Sequence, residues 1–267
     1  MKQDKYRWLK LLLLCYALGG IILYYTQDKM LFHPEPVTAD HVYDFPQPYA
    51  EQFIYYDSST KFHLVKFPAK SDSTKGVVLY FHGNRKNIGH YAKYAQLFTK
   101  YGYAVWMCDY PGFGKSTGNR TEQLLYEEAE QVYKLARLEF EKSQIIIYGK
   151  SLGTGIASYL AAKRDCKQLF LETPYYSITS LARQFAFIYP VGQLMAYTIP
   201  QAEYLKKVTA PITIVHGTND WTTFYSNALR LKKSFKQGDQ FITIRGGEHN
   251  GLTDSLQVQQ AIQQALQ

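Results

Sequence analysis

Cysteine is scarce: only Cys15, Cys108 and Cys166 occur in 267 residues. Three thiols without paired metal-ligand spacing argue against both a disulfide scaffold and a zinc site. Charge is also thin, at 19% of residues, against 46% hydrophobic residues, which is the composition of a globular chain. No internal repeat, low-complexity tract or Pro/Gly/Ser-rich linker divides the sequence. A phosphate-binding loop is missing too. "GFGKST" and "YGKS" imitate G-x-x-x-x-G-K-[ST], but the first glycine would fall at Asp109 or Gln144. A nucleotide hydrolase is thereby set aside, and "GFG" is expected to form a turn at the rim of the functional site.

What charge there is leans positive, with a formal net charge of +8. Part of it is N-terminal, with Lys2, Lys5, Arg7 and Lys10 against Asp4. A second basic cluster, Arg230, Lys232, Lys233 and Lys236, reads as the solvated face of a helix. No aromatic-basic motif accompanies these residues, so nucleic acid is not an expected partner. An anionic membrane surface is the better match, because the basic start is followed by the uncharged run "LLLLCYALGGIILYY", Leu11 to Tyr25. With Trp8 and Leu9 added and Lys10 snorkelling, the run approaches the roughly 20 residues that cross a bilayer. A cleaved signal peptide is the rival reading, with Ala17-Leu18-Gly19 as a small-x-small site, but cleavage there would expose "IILYY" at the new terminus. An uncleaved anchor is therefore expected over residues 1–30. The positive-inside rule would leave its N-terminus in the cytoplasm and the remaining chain, 31–267, outside.

After the anchor the sequence changes rhythm. "FIYYD" (53–57) and "KFHLVKF" (61–67) flank "SST" as a hairpin. Then come "GVVLYF" (76–81), "YAVWMC" (103–108), "QIIIY" (144–148), "QLFLE" (168–172), "ITIVH" (212–216) and "FITIR" (241–245). Unbroken apolar runs of this length suit strands buried on both faces. Between them lie segments with helical spacing, such as 121–140 and 223–235. Alternation of this kind predicts an α/β fold whose mostly parallel sheet is covered by helices on both faces. Functional groups then belong in loops at the carboxyl ends of strands.

Those loops carry a recognisable set of side chains. Gly149-Lys150-Ser151-Leu152-Gly153 fits G-x-S-x-G between a strand and a helix, where flanking glycines permit the sharp turn that lifts a serine oxygen clear of the sheet. Such a serine needs a base. Of the histidines after it, His216 closes a strand and reads as a turn residue, whereas His249 lies in the glycine-rich loop after the last strand. The base in turn needs a carboxylate. Asp220, after "ITIVH", fits the Ser, Asp, His order; Glu172 is the rival, and Glu248 sits beside His249. An oxyanion hole would draw one N–H from Leu152 and a second from the loop after "GVVLYF", expected at Asn84 with Arg85 as the alternative. His82 in that loop reads as a turn brace.

Taken in order, "FHGN", "DYPGFGKS", "YGKSLGTG", "HGTND" and "GGEHNGL" make the chain from about Gln52 onward resemble the α/β-hydrolase superfamily. With its basic N-terminus and the phrase "DKMLFHP", it is similar to the Bem46-like and serine aminopeptidase-like group of membrane-anchored hydrolases. The resemblance implies Ser151 as nucleophile, His249 as base and Asp220 as acid, with no cofactor. The sequence departs from the group in two places: "DWTTF" stands where valine-proline is common after the acid, and "RKN" replaces a glycine-asparagine after "HGN".

Residues about 175–208 interrupt the strand rhythm where such folds insert a lid. Phe185, Phe187, Tyr189, Leu194, Met195 and Tyr197 are candidates to line an apolar pocket, although most are expected to pack the lid onto the domain. The insertion is too small for a large cap, so the expected substrate is a small or lipid-like acyl ester or thioester. A peptidase with the same triad, or a silent hydrolase-like module binding at the membrane, are the alternatives.

Overall fold

A computed structural model describes residues 6–71 and 73–267; Lys2, Asp4 and Lys5 lie outside them. The apolar runs pair as eight strands: β1 Ala50–Tyr55, β2 Lys61–Phe67, β3 Gly76–Phe81, β4 Tyr103–Asp109, β5 Ile145–Lys150, β6 Gln168–Glu172, β7 Ile212–Gly217 and β8 Gln240–Ile244. Across the sheet they run β8-β7-β6-β5-β3-β4-β2-β1. β1 and β2 form the expected antiparallel hairpin, whose turn is held by Asp57 Oδ1 accepting from the N–H groups of Ser59 and Thr60. β2 is antiparallel to β4, and every other neighbouring pair is parallel.

Every residue of β3, β4, β5 and β7 is buried, which explains their unbroken apolarity. One face is covered by α2 (Glu122–Glu139) and α3 (Leu152–Lys163), which contribute Leu125, Ala129, Ile156 and Leu160 to the core. The other carries Ile88, Phe98 and the C-terminal helix α5 (Leu256–Ala265), through Val258 and Ile262. α2 begins where Thr121 accepts a hydrogen bond from Leu124 N–H, an N-cap that satisfies one free donor of the first turn.

The parallel order brings the ends of β3, β5, β6, β7 and β8 to one edge of the sheet. Between β6 and β7 the chain leaves the sheet to form α4 (Ile178–Phe185), capped by Ser177, and short helical turns at Val191–Leu194 and Gln201–Leu205. The helix expected over 223–235 is only partly α-helical. It is α-helical at Tyr225–Leu229 and continues as a tighter 3-10 turn at Arg230–Ser234.

α1 runs from Arg7 to Leu31, about 37 Å at 1.5 Å per residue, and is long and apolar enough to cross a membrane. Its C-terminal end is docked to the insertion by polar contacts. Gln27 Nε2 donates to Leu194 O (3.2 Å) and its Oε1 accepts from Ala196 N–H (2.7 Å). Asp28 accepts from Arg120 (2.8 Å) and from the Tyr197 hydroxyl (2.8 Å). Past α1, a strap pairs His33–Pro34 with Arg85–Lys86 and runs over Gly114, whose N–H donates to Glu35 O and whose carbonyl accepts from Val37 N–H. The "GFG" turn is therefore packed beneath this strap, and not at the rim of the site as its sequence suggested.

Candidate active site

Ser151 occupies the single residue between β5 and α3. Its φ is +51°, a backbone conformation that side chains rarely adopt, and it is held there by two main-chain bonds. Ser151 N–H donates to Glu172 O (2.9 Å) and its carbonyl accepts from Thr154 N–H (2.9 Å). The glycines on either side are required sterically. A Cβ on Gly149 would meet Gly153 O at 2.6 Å, and one on Gly153 would meet Phe81 O at 2.1 Å. The turn thus lets α3 start hard against β3 and β5 while the serine points outward, as a nucleophile elbow does.

His249, from the loop after β8, reaches back over the strand ends. Its Nε2 lies 3.0 Å from Ser151 Oγ and its Nδ1 2.8 Å from Asp220 Oδ2. Asp220, in the loop after β7, is fixed by its own neighbours. Oδ1 accepts from Thr222 N–H (2.8 Å) and Thr223 N–H (2.9 Å), and Oδ2 from the Thr223 hydroxyl (2.7 Å). Burial alone would raise the Asp220 pKa, but the His249 imidazole and the Thr223 donors outweigh it and hold the carboxyl well below the usual range. An ionised carboxylate can only accept, so the imidazole proton sits on Nδ1 and leaves Nε2 free to accept from Ser151.

The rival groups are committed elsewhere. Glu172 is fully buried, paired with Lys150 Nζ and accepting from the Tyr148 hydroxyl (2.6 Å). Glu248 is exposed. His216 is buried and donates from Nδ1 to Gly217 O (3.0 Å), with Nε2 3.2 Å from Thr223 Oγ1; burial lowers its pKa, so it braces the Asp220 loop as a neutral ring. His82 is likewise a brace, bonded to Gly83 O (2.7 Å) and 3.4 Å from the buried Asp109 carboxylate.

The loop after β3 lies against the serine: a Cβ on Gly83 would sit 3.7 Å from Ser151 Cβ. Asn84 is pinned in this loop, its carbonyl accepting from His33 N–H (2.9 Å) and its side-chain amide donating to Leu31 O (2.5 Å). Asn84 and Leu152 both line a cavity of about 790 Å³ that ends at Ser151. α1 and α4 supply nearly half of its lining, and apart from Thr26 and Gln27 that part is apolar. Phe185, Phe187, Tyr189 and Met195 line it, which corrects the expectation that most of the six candidates, Leu194 and Tyr197 included, pack onto the domain. Of these lining residues, Tyr189 stacks on Tyr16 of α1, Phe185 meets Phe224, Met195 packs against the core, and Phe187 is largely exposed. Tyr197 does pack inward, and is buried. A second cavity of about 820 Å³ leaves Ser151 and His249 in another direction, past Arg85, Lys86, Lys93 and Asn250.

Sequence reasoning missed Thr223, whose N–H and hydroxyl hold Asp220, and Lys150, which pairs with Glu172. The spacing Asp220 to Thr223 is that of a side chain capping the turn it begins, and that signal was available. The part played by α1 was not. Among the described residues no group of three or more His, Cys, Asp or Glu is placed to hold a metal ion.

Comparison with known proteins gives a consistent picture. A family model described as serine aminopeptidase, S33, matches residues 72–206. Alpha/beta hydrolase domain-containing protein 17B of Homo sapiens is 28% identical over 183 residues, covering 67% of this chain and 62% of the relative. Protein 17C of Xenopus tropicalis is 28% identical over 185 residues, covering 68% and 58% respectively. The chain thus spans about six-tenths of the length of the curated relatives it matches. Among solved structures, Est1E from Butyrivibrio proteoclasticus with ferulic acid bound superposes with a TM-score of 0.66 at 18% identity, over 80% of this chain and 96% of that one. A monoacylglycerol lipase from Paleococcus ferrophilus gives 0.60 at 19%, over 77% and 98%. At these identities the structures establish the shared α/β-hydrolase fold.

Proposed function

The chain belongs to the serine aminopeptidase S33 family of α/β-hydrolases, and from that premise we propose that it is a membrane-anchored serine hydrolase cleaving carboxylic esters or thioesters. One observation carries the reading: the continuous relay from Ser151 Oγ through His249 to the Asp220 carboxylate, at 3.0 and 2.8 Å.

In this reading Ser151 Oγ attacks the substrate carbonyl while His249 Nε2 takes its proton. Asp220 keeps the ring in the required tautomer and stabilises the imidazolium without taking the proton itself. The backbone N–H groups of Leu152 and Asn84 receive the negative charge that develops on the carbonyl oxygen. A donor of this kind is worth on the order of 2.7–4 kcal/mol. His249 then returns its proton to the departing oxygen or sulfur, leaving an acyl group on Ser151. Water, deprotonated by the same imidazole, releases the acid. No cofactor enters the cycle.

The apolar cavity favours an acyl chain over a peptide as the group held beside Ser151. An esterase and a monoacylglycerol lipase among the structural relatives are consistent with this preference. Residues 1–30 serve as basic flank and anchor, and 31–267 as the catalytic domain with its lid at about 175–208. The basic N-terminus faces the cytoplasm and the domain the other side, which protease accessibility in intact and opened cells will test.

The reaction itself is tested with p-nitrophenyl esters and an S-acyl thioester. Turnover that disappears in Ser151→Ala and in His249→Ala supports the reading; turnover that persists in Ser151→Ala refutes it.

A further inference from the structure

The face of α1 that carries Gly19, Ile22, Leu23 and Met30 forms one wall of the cavity that ends at Ser151, opposite Ile178 and Leu181 of α4. These α1 positions span about 16 Å of helix axis at 1.5 Å per residue, the scale of a long acyl chain. Among the described residues no Asp, Glu, Lys, Arg or His lines this cavity, whereas the second cavity at Ser151 is bordered by Arg85, Lys86, Lys93 and Asp254. The two sides of the serine therefore differ sharply in polarity.

The mouth of the apolar cavity has a second unusual property. Residues 185–188, the tip of the insertion, carry no polar side chain, and Phe185, Phe187 and Ile188 are exposed there just past the exposed Arg183 and Gln184, with Trp221 at 81% across the opening. The tip is fixed to the middle of the uncharged stretch of α1. Tyr189 stacks on Tyr16 with ring centroids 4.8 Å apart, and the Tyr16 hydroxyl donates to Ile188 O (3.1 Å). Gly19 makes room for this contact, because a Cβ there would meet Tyr189 Oη at 2.1 Å. Tyr16 lies about 15 Å along the helix from Thr26. If α1 spans the bilayer, a tip held at Tyr16 lies among lipid acyl chains, where such exposed apolar side chains are solvated without penalty. Gln27 and Asp28, the polar clamps, then sit where the helix leaves the membrane.

We propose that the membrane helix is a working wall of the substrate site: α1 and the tip of the insertion form a channel that opens sideways into the bilayer, through which the acyl chain of a membrane-embedded ester or thioester reaches Ser151. The polar part of the substrate lies in the second cavity, facing water. This rests on the ester-hydrolase reading and adds to it where the acyl chain comes from and what grips it.

The test uses the full chain in phosphatidylcholine vesicles, with kcat/KM measured for p-nitrophenyl laurate and p-nitrophenyl butyrate. Ile22→Trp fills the channel from the α1 side and Phe187→Asp puts a charge at its mouth. Each is expected to lower the laurate-to-butyrate ratio by about tenfold or more, equivalent to burying only a couple of methylenes fewer. Ile21→Trp, on the opposite face of the same helix, is expected to keep the wild-type ratio. Labelling of Ser151 by a small fluorophosphonate serves as the folding control, with Leu23→Phe replacing any wall variant that does not label. Wild-type ratios in labelled Ile22→Trp and Phe187→Asp would overturn the channel while leaving the hydrolase standing. A wild type that neither labels nor turns over either ester would remove the parent reading, and the channel with it.

Discussion

His249 places Nε2 3.0 Å from Ser151 Oγ across 98 residues of chain. Neither residue could hold that distance alone. Ser151 is fixed by a positive-φ turn that only the close approach of Gly153 to β3 permits. His249 is aimed by Asp220, itself locked by Thr222 and Thr223. A hydrogen-bonded relay at the carboxyl edge of a parallel sheet is a costly arrangement to maintain for packing alone, and general-base activation of a serine is the chemistry it suits.

Removing Ser151 or His249 should abolish turnover without unfolding the protein. Ser151→Ala and His249→Ala are each expected to lower kcat by roughly 10⁴-fold or more, with KM little changed. Steady-state kinetics beside a thermal melt will separate this from loss of fold.

The choice of acid gives a sharper contrast. Asp220→Asn leaves the side-chain shape but presents the wrong partner to His249 Nδ1, and kcat should fall by about 10³- to 10⁴-fold. Lys150→Met, in contrast, leaves the buried Glu172 carboxylate unpaired and should cost about 3–5 kcal/mol of stability, read by urea denaturation. If Asp220→Asn retains full activity, the carboxylate assignment fails.

Gly153→Ala tests the elbow itself. Its Cβ would lie 2.1 Å from the Phe81 carbonyl oxygen, a backbone atom that cannot swing aside. The expected result is a loss of more than about 2 kcal/mol together with loss of activity, since α3 and Ser151 must move as one. Gly238→Ala is a useful comparison, having a positive φ of 92° but nothing within 4 Å of the added atom. It should cost only about 1 kcal/mol or slightly more.

A stability effect with a pH signature is expected at Glu128. The side chain is fully buried on α2, and neither carboxyl oxygen has a hydrogen-bond partner among the described residues. Burial foremost, with the Asp109 carboxylate adding to it, raises its pKa well above the ordinary value. A raised folded pKa means that the folded chain holds a proton the unfolded chain releases. The stabilisation is therefore complete below the unfolded value near 4.5 and is lost as pH rises. Glu128→Gln removes this dependence, so its melting temperature relative to wild type should climb between pH 5 and pH 8, by an amount worth about 1–3 kcal/mol. A difference that is flat with pH would show that Glu128 is ionised in the fold.

Much of the architecture was legible because buried parallel strands leave little freedom in sequence: all six runs from "GVVLYF" to "FITIR" became strands with ends shifted by at most a couple of residues. The same logic brought Ser151, Asp220 and His249 together, since each sits directly past such a strand. Where the reading went astray, the cause was a contact invisible to local pattern. The "GFG" turn was expected at the rim but lies beneath the 33–37 strap, which nothing in "HPEPV" announces. α1 offered an apolar run that fits an anchor, and its weak amphipathic pattern gave no hint that one face would meet the insertion. Tyr189 was misjudged for the same reason, because its stacking partner is Tyr16 of that helix.

The most direct measurement is the mapping of a fluorophosphonate adduct on the purified full chain by peptide mass spectrometry. The account predicts one adduct per molecule, on Ser151, and none in His249→Ala on the same timescale. A folded wild-type protein that takes up no adduct, or takes it up on a different residue, would contradict the claim that Ser151 is an activated nucleophile.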